Sequence, residues 1–150
     1  MSFSIRFLDE PPFIEEGMAP HAHGILSIGA FEEGFYASLF HWSREQYEKQ
    51  WSGAIRDILN GANKSALIVS FLTPDVASNL EWWPMYRADN VVYFQNHLLF
   101  FDQLERPFSA ECPVASLRDR NTIAETGDPI SEWSLKLIDL ETFLRSIAVR

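Results

Sequence analysis

The 150-residue sequence holds one cysteine, Cys112. A single thiol can close no disulfide within the chain and builds no cysteine-based zinc site, so a reducing compartment fits it best. Nowhere do about 18 apolar residues run together as a membrane span requires. The start, Met1-Ser2-Phe3-Ser4-Ile5-Arg6, lacks a basic stretch leading into an apolar one, so a soluble cytoplasmic protein not written for export is expected. Positive charge is scarce as well. Twelve Lys and Arg stand against twenty-one Asp and Glu, and the net charge of −9 repels phosphate backbones and anionic lipid while favouring a basic partner. Direct binding of nucleic acid or membrane is therefore not expected.

Catalytic signatures are missing too: there is no Gly-rich phosphate loop, no Gly-x-Ser-x-Gly turn and no His-Glu-x-x-His helix. His21-Ala22-His23 is the only close histidine pair. It supplies half of a tetrahedral site, and no sequence context brings His41 or His97 to it, so the pair reads as solvated loop histidines with no metal and no cofactor. Cys112, followed by Pro113, has no evident base partner and reads as an inert or small core thiol. Adjacent acids such as Glu15-Glu16 and Glu32-Glu33 sit beside Gly or Pro, where carboxylates stay hydrated and ionised rather than poised for proton transfer. A protein with no chemistry of its own is expected.

What the chain does contain is 47% apolar and 14% aromatic content. At this length one core can bury roughly two-thirds of the unfolded surface, so residues 1–150 are expected to form one domain. Phe3 to Leu8 alternates with the period of a half-buried strand and stops at Pro11-Pro12. Phe13 to Gly24 reads as irregular. Gly24–Ala30 and Phe35–Phe40 read as strands joined through Glu32-Glu33-Gly34 as the turn. Arg44–Asn60 is the clearest helix: Ser43 and Gln46 form a capping box, Gly61 stops it, and Tyr47, Trp51, Ile55 and Ile58 make its apolar face. Ser65–Leu72 is a strand covered on both faces. Glu81–Arg87 and Val91–Phe101 form a second meander turning at Ala88-Asp89-Asn90. Pro113 opens a short helical turn, Ile130–Leu137 is a strand, and Asp139 caps a last helix carrying Leu140, Phe143, Leu144 and Ile147. Runs of strands interrupted by a long helix and ended by another define an α+β protein, with helices packed on antiparallel sheet. Of the five tryptophans, Trp51 belongs to the helix core. Trp82 and Trp83 point to opposite faces of their strand, so either could be exposed, with core the favoured reading.

Ser65-Ala66-Leu67-Ile68-Val69-Ser70 followed by Pro74, Val92-Tyr93-Phe94-Gln95-Asn96 with Phe100 after it, and Ile130-Ser131-Glu132-Trp133 form an ordered set. Together with the helix bearing Tyr47 and Trp51 before them, they resemble contact-dependent growth inhibition immunity proteins. The similar members belong to the branch with a Whirly-like fold, paired with toxins that cut small-subunit ribosomal RNA. The resemblance spans about residues 40–147. It implies two antiparallel sheets with one long helix and a C-terminal helix on them. It also implies a cytoplasmic protein whose partner is the C-terminal toxin domain of a large surface-delivered effector. The matched residues are framework, so the resemblance assigns no contact residue.

The acid excess suits that partner, because a nuclease domain needs basic residues to hold RNA, and an acidic inhibitor associates fast by electrostatic steering. Residues 1–42 carry Asp9, Glu10, Glu15, Glu16, Glu32 and Glu33 against Arg6 alone. We expect Glu15, Glu16, Glu32, Glu33, Asp75 and Asp89 to flank the partner surface, with an exposed aromatic as anchor. The rival reading is a single-strand-binding module of Whirly-like fold, which needs a basic, aromatic-lined groove. A small ligand-binding protein or enzyme would need a pocket of convergent, desolvated carboxylates.

Overall fold

The computed structural model describes residues 1–148. β1 (Phe3–Phe7), β2 (His21–Ile28) and β3 (Phe31–Ser38) form an antiparallel sheet in that order. After helix α1 (Arg44–Leu59) come β4 (Lys64–Ser70), β5 (Asn79–Ala88), β6 (Val91–Gln95), β7 (His97–Phe100) and β8 (Glu132–Lys136). These make a second antiparallel sheet, ordered β4-β5-β6-β8, with β7 also paired to β5. Helix α2 (Leu137–Ala148) ends the described chain. The architecture is the α+β arrangement expected, with two sheets and two helices.

Helix α1 forms where its local signals place it. The Ser43 hydroxyl accepts from the Gln46 amide while the Gln46 side chain accepts from the Ser43 amide, so two N-terminal donors are satisfied reciprocally. The helix then does more than bury an apolar stripe. Gln50 donates to the Ala66 carbonyl at 2.8 Å and accepts from the Ile68 amide at 2.9 Å, and Trp51 donates to the Ile68 carbonyl at 2.7 Å. These side chains satisfy the open edge of β4 as a neighbouring strand would, which also blunts it against pairing with another chain. Tyr47, wholly buried, donates to the Ser38 carbonyl and accepts from the Phe71 amide. The end of β3 is thereby tied to the end of β4, and burial pushes the phenol up to about 12.

The sheets meet through aromatic rings. Phe3 stacks on Phe94 at 5.4 Å and meets Phe143 edge-on, while Phe31 stacks on Trp133 at 4.2 Å and approaches Trp83. Burying each such ring contributes about 1.5–3 kcal/mol. Trp82 and Trp83 do point to opposite faces, and both are buried: Trp83 faces the first sheet, and Trp82 meets Phe108 in the long segment that covers the other side.

Four expectations are corrected. The β2–β3 turn lies at Gly29-Ala30, where Gly29 has φ +61°, so Glu32, Glu33 and Gly34 belong to β3. That register puts Gly24 opposite Phe35, and a Cβ at Gly24 would run into the Phe35 ring. β2 begins at His21, so the histidine pair stands on a strand rather than in a loop. The single strand read over Val91–Phe101 is broken at Asn96, opposite Trp83 and beside Pro84, which has no N–H to give a ladder. Helix α2 starts at Leu137, and Asp139 stands inside its first turn with its carboxylate accepting from the Lys136 amide.

Candidate interaction surface

β2 separates two unlike ends of the molecule, about 23 Å apart along the strand. At the Ile28 end the chain closes on itself. The Gly29 amide donates to the Ser2 carbonyl, the Met1 amino group lies 3.7 Å from Asp139, and the Leu137 amide donates to the Asn90 carbonyl. At the His21 end three connections converge: residues 8–20, 39–43 and 71–78. The backbones of Phe13 and His21 exchange hydrogen bonds of 2.6 and 2.8 Å, and the Leu39 amide donates to the Pro20 carbonyl at 2.8 Å. Thr73 bonds His41 at 3.1 Å, and Arg44 donates to the Glu10 carbonyl at 2.7 Å.

These loops are tied down yet leave apolar side chains in water. Phe13, Ile14, Met18, Tyr36, Phe40 and Val76 are six of the eleven large apolar residues exposed among the described residues. The Tyr36 ring stacks on His23 at 4.7 Å, and His23 in turn contacts the Glu10 carboxylate at 3.1 Å. Phe13 lies 6.4 Å from Tyr36, ring centre to ring centre. This apolar cluster went unread in the sequence. Its signal was the Phe13-Ile14 dipeptide between prolines and acids, and with the turn at Gly29-Ala30 the period of two sends Tyr36 outward.

The six acids named from sequence do not form one group. Glu15 and Glu16 lie in the first of the three connections, exposed beside Phe13 and Ile14. Asp75 lies in the third, where the Thr73 hydroxyl holds its carboxyl below the ordinary carboxylate range. Glu32 pairs across from Ser27 near the Gly29 turn. Glu33 bridges the sheets, accepting from the Asn96 side chain at 3.2 Å. Across from it the carboxyl of Glu81 is pushed up, first by lost hydration and then by Glu33, with His21 pulling it down. Asp89 is in the β5–β6 turn at the closed end, with φ +54°, and its carbonyl accepts from Arg87.

A cleft of about 360 Å³ opens on the far face of the second sheet, between Trp82, Tyr86 and His97 on one side and residues 103–130 on the other. A polar chain runs along it. His97 contacts the Gln95 amide oxygen at 2.7 Å, and the buried Gln95 amide donates to the Asn121 carbonyl and to Glu132. Arg120 clamps Glu132 with two hydrogen bonds while lying 3.8 Å over the Tyr93 ring. Arg120 holds the Glu132 carboxyl below its ordinary range, and burial lowers His97. The acids lining the cleft are the exposed Glu125 and Asp119, whose side chain is 95% exposed and bonded to Lys64, while Glu132 stands behind them in its ion pair with Arg120. Cys112 is exposed, away from any core position.

An α+β two-sheet domain with a closed end and an apolar, acid-rimmed end is therefore the class this chain defines. The family model for the CdiI N-terminal domain matches residues 37–143, and the chain belongs to that family. The immunity protein CdiI of Enterobacter cloacae is 29% identical over 122 residues, which cover 81% of this chain and 83% of that protein. A chain from the CdiA-CT/CdiI toxin and immunity complex of Enterobacter cloacae matches in structure with a TM-score of 0.86 at 28% identity, over 99% of both chains.

Proposed function

We propose that this chain is an immunity protein that binds the C-terminal toxin domain of a contact-dependent growth inhibition effector and neutralises it inside the producing cell. The observation that carries this reading is the match along 99% of both chains to a chain of a toxin and immunity complex. The reading takes residues 1–150 as one domain, supported by a core running unbroken from Phe3 to Phe143. It assigns no catalysis and no cofactor to the chain. The finer reading is that the toxin is a basic ribonuclease acting on small-subunit ribosomal RNA, with this chain in the Whirly-like branch. That rests on the ordered motifs from Ser65 to Trp133 and on the net charge of −9. A single-strand-binding groove would need clustered free basic residues, whereas the twelve Lys and Arg are dispersed along the chain and Lys64, Arg87, Arg120 and Arg145 are turned onto its own carbonyls or carboxylates.

The test pairs the purified chain with the toxin domain encoded beside it. A stable complex on gel filtration, rescue of cells expressing the toxin and loss of ribosomal RNA cleavage are expected. Two proteins that elute separately, with toxicity undiminished, would refute the reading. A complex that forms with a toxin leaving RNA intact would refute the ribonuclease assignment alone.

A further inference from the structure

Resting on the immunity reading, we infer that the toxin docks on the His21 end of the first sheet, with Phe13 and Tyr36 as its apolar anchors and Glu15, Glu16 and Asp75 as its charged rim. Hot spots in protein interfaces are large rings held ready at the centre of a patch, ringed by groups that exclude water. Tyr36 meets that description before any partner arrives. Its ring is stacked on His23, His23 is held by Glu10, and so little rotamer freedom remains to be lost on binding. Phe13 beside it is fixed from behind by a pair of backbone hydrogen bonds to His21. A monomer gains nothing from leaving these rings in water, and exposed apolar clusters rimmed by polar groups mark contact sites.

Charge narrows the occupant. At this end of the first sheet stand Glu10, Glu15, Glu16 and Asp75, while Arg44 spends its guanidinium on the Glu10 carbonyl and lies 5.7 Å over the Phe7 ring, and Arg6 is the exposed basic residue of β1, two positions from the row of Tyr36. A second copy of the chain would bring like charge to like charge at this end. A basic toxin domain meets complementary charge instead. The match to the family model starts at residue 37, so Phe13, Glu15, Glu16 and Tyr36 lie outside the matched segment while Asp75 lies within it.

The experiment measures binding of the adjacent toxin domain to the intact chain by biosensor, with melting temperature followed in parallel. The double variant Phe13→Ser/Tyr36→Ala is expected to weaken binding by about 30-fold or more, chiefly through faster dissociation. Glu15→Lys/Glu16→Lys is expected to slow association about 10-fold at low salt. A pair at the other end, Asp89→Asn/Ile138→Ser, should change either rate by less than about 2-fold, and all variants should melt near the wild type. If wild type binds and the loop-end variants bind equally well, the location is wrong while the immunity reading stands. If wild type fails to bind, the immunity reading itself fails. Self-association of wild type that Tyr36→Ala abolishes would assign this end to a second copy and overturn the proposal.

Discussion

The two ends of the first sheet are built from the same three strands and reach opposite solutions for apolar side chains. At the Gly29 end the rings go inward, Phe3 onto Phe94 and Phe143 of α2, and Phe31 onto Trp133, and the first turn of α2 is tied to the β5–β6 turn by the Leu137–Asn90 backbone bond. At the His21 end the loops satisfy one another's backbone groups and leave Phe13, Ile14, Phe40 and Val76 in water beside Tyr36 of β3. Hydrogen bonding can therefore order a loop without burying its side chains. The first end contributes stability, and the second trades stability for a surface held in one shape.

If that division holds, changes within the framework should alter stability and leave the affinity of the folded fraction alone. The largest effect is expected from Trp83→Ala, which empties the space beside the stacked Phe31–Trp133 pair. Urea denaturation should show a loss of about 3–5 kcal/mol. A toxin affinity that fell once corrected for unfolded protein would break the division. Tyr47→Phe keeps the ring and removes only the hydroxyl that joins the Ser38 carbonyl to the Phe71 amide. Two buried groups lose their partner, so about 1–3 kcal/mol should go, read from the same denaturation curves.

A smaller effect is expected from the Arg120–Glu132 pair. Because the folded-state pKa of Glu132 is lowered from 4.5, its contribution is present above that value and disappears as pH falls through the depressed one. Arg120 is open to water, so the gain is about 1 kcal/mol or less. Stability measured against pH below about 4.5 should fall less steeply in Glu132→Gln than in wild type. Equal slopes would show that the clamp adds nothing.

The same contrast separates what was legible in the sequence from what was not. Helix α1 was legible to its ends because a capping box and the spacing of Tyr47, Trp51, Ile55 and Ile58 are local signals. The buried β4 was legible from its continuous apolar run. The β2–β3 turn was not, since Glu32-Glu33-Gly34 has turn chemistry, while the contacts that decide the register are distant: Phe31 against Trp133 and Phe35 over Gly24. Nor was the segment from Phe101 to Ile130. It has little periodicity and is held by side chains from elsewhere, with Lys64 donating to the Leu117 carbonyl, Tyr86 to Arg118 and Gln95 to Asn121. For the candidate surface, charge could be read but position could not. A run of acids announces itself in composition, whereas which end each one occupies follows from the register, and a one-residue slip in β3 would have hidden Tyr36.

The smallest predicted effect is the sharpest test of the two ends. Asp89 carries a charge in the β5–β6 turn with φ +54°, a conformation that Asn adopts as readily as Asp. Asp89→Asn therefore removes the charge and keeps the turn, and its unfolding free energy should stay within about 0.5 kcal/mol of wild type. The Asp89 turn shares the closed end with Gly29, whereas Glu15 and Glu16 flank Phe13 at the other. That separation, about 23 Å along β2, exceeds the screening length of about 8 Å at physiological salt. Loss of the Asp89 charge should then leave the toxin association rate within about 2-fold, while Glu15→Gln/Glu16→Gln slows it and flattens its salt dependence. Should Asp89→Asn slow association as much as the loop-end pair, steering would come from the net charge of the whole chain, and the acids at the His21 end would have no special part in it.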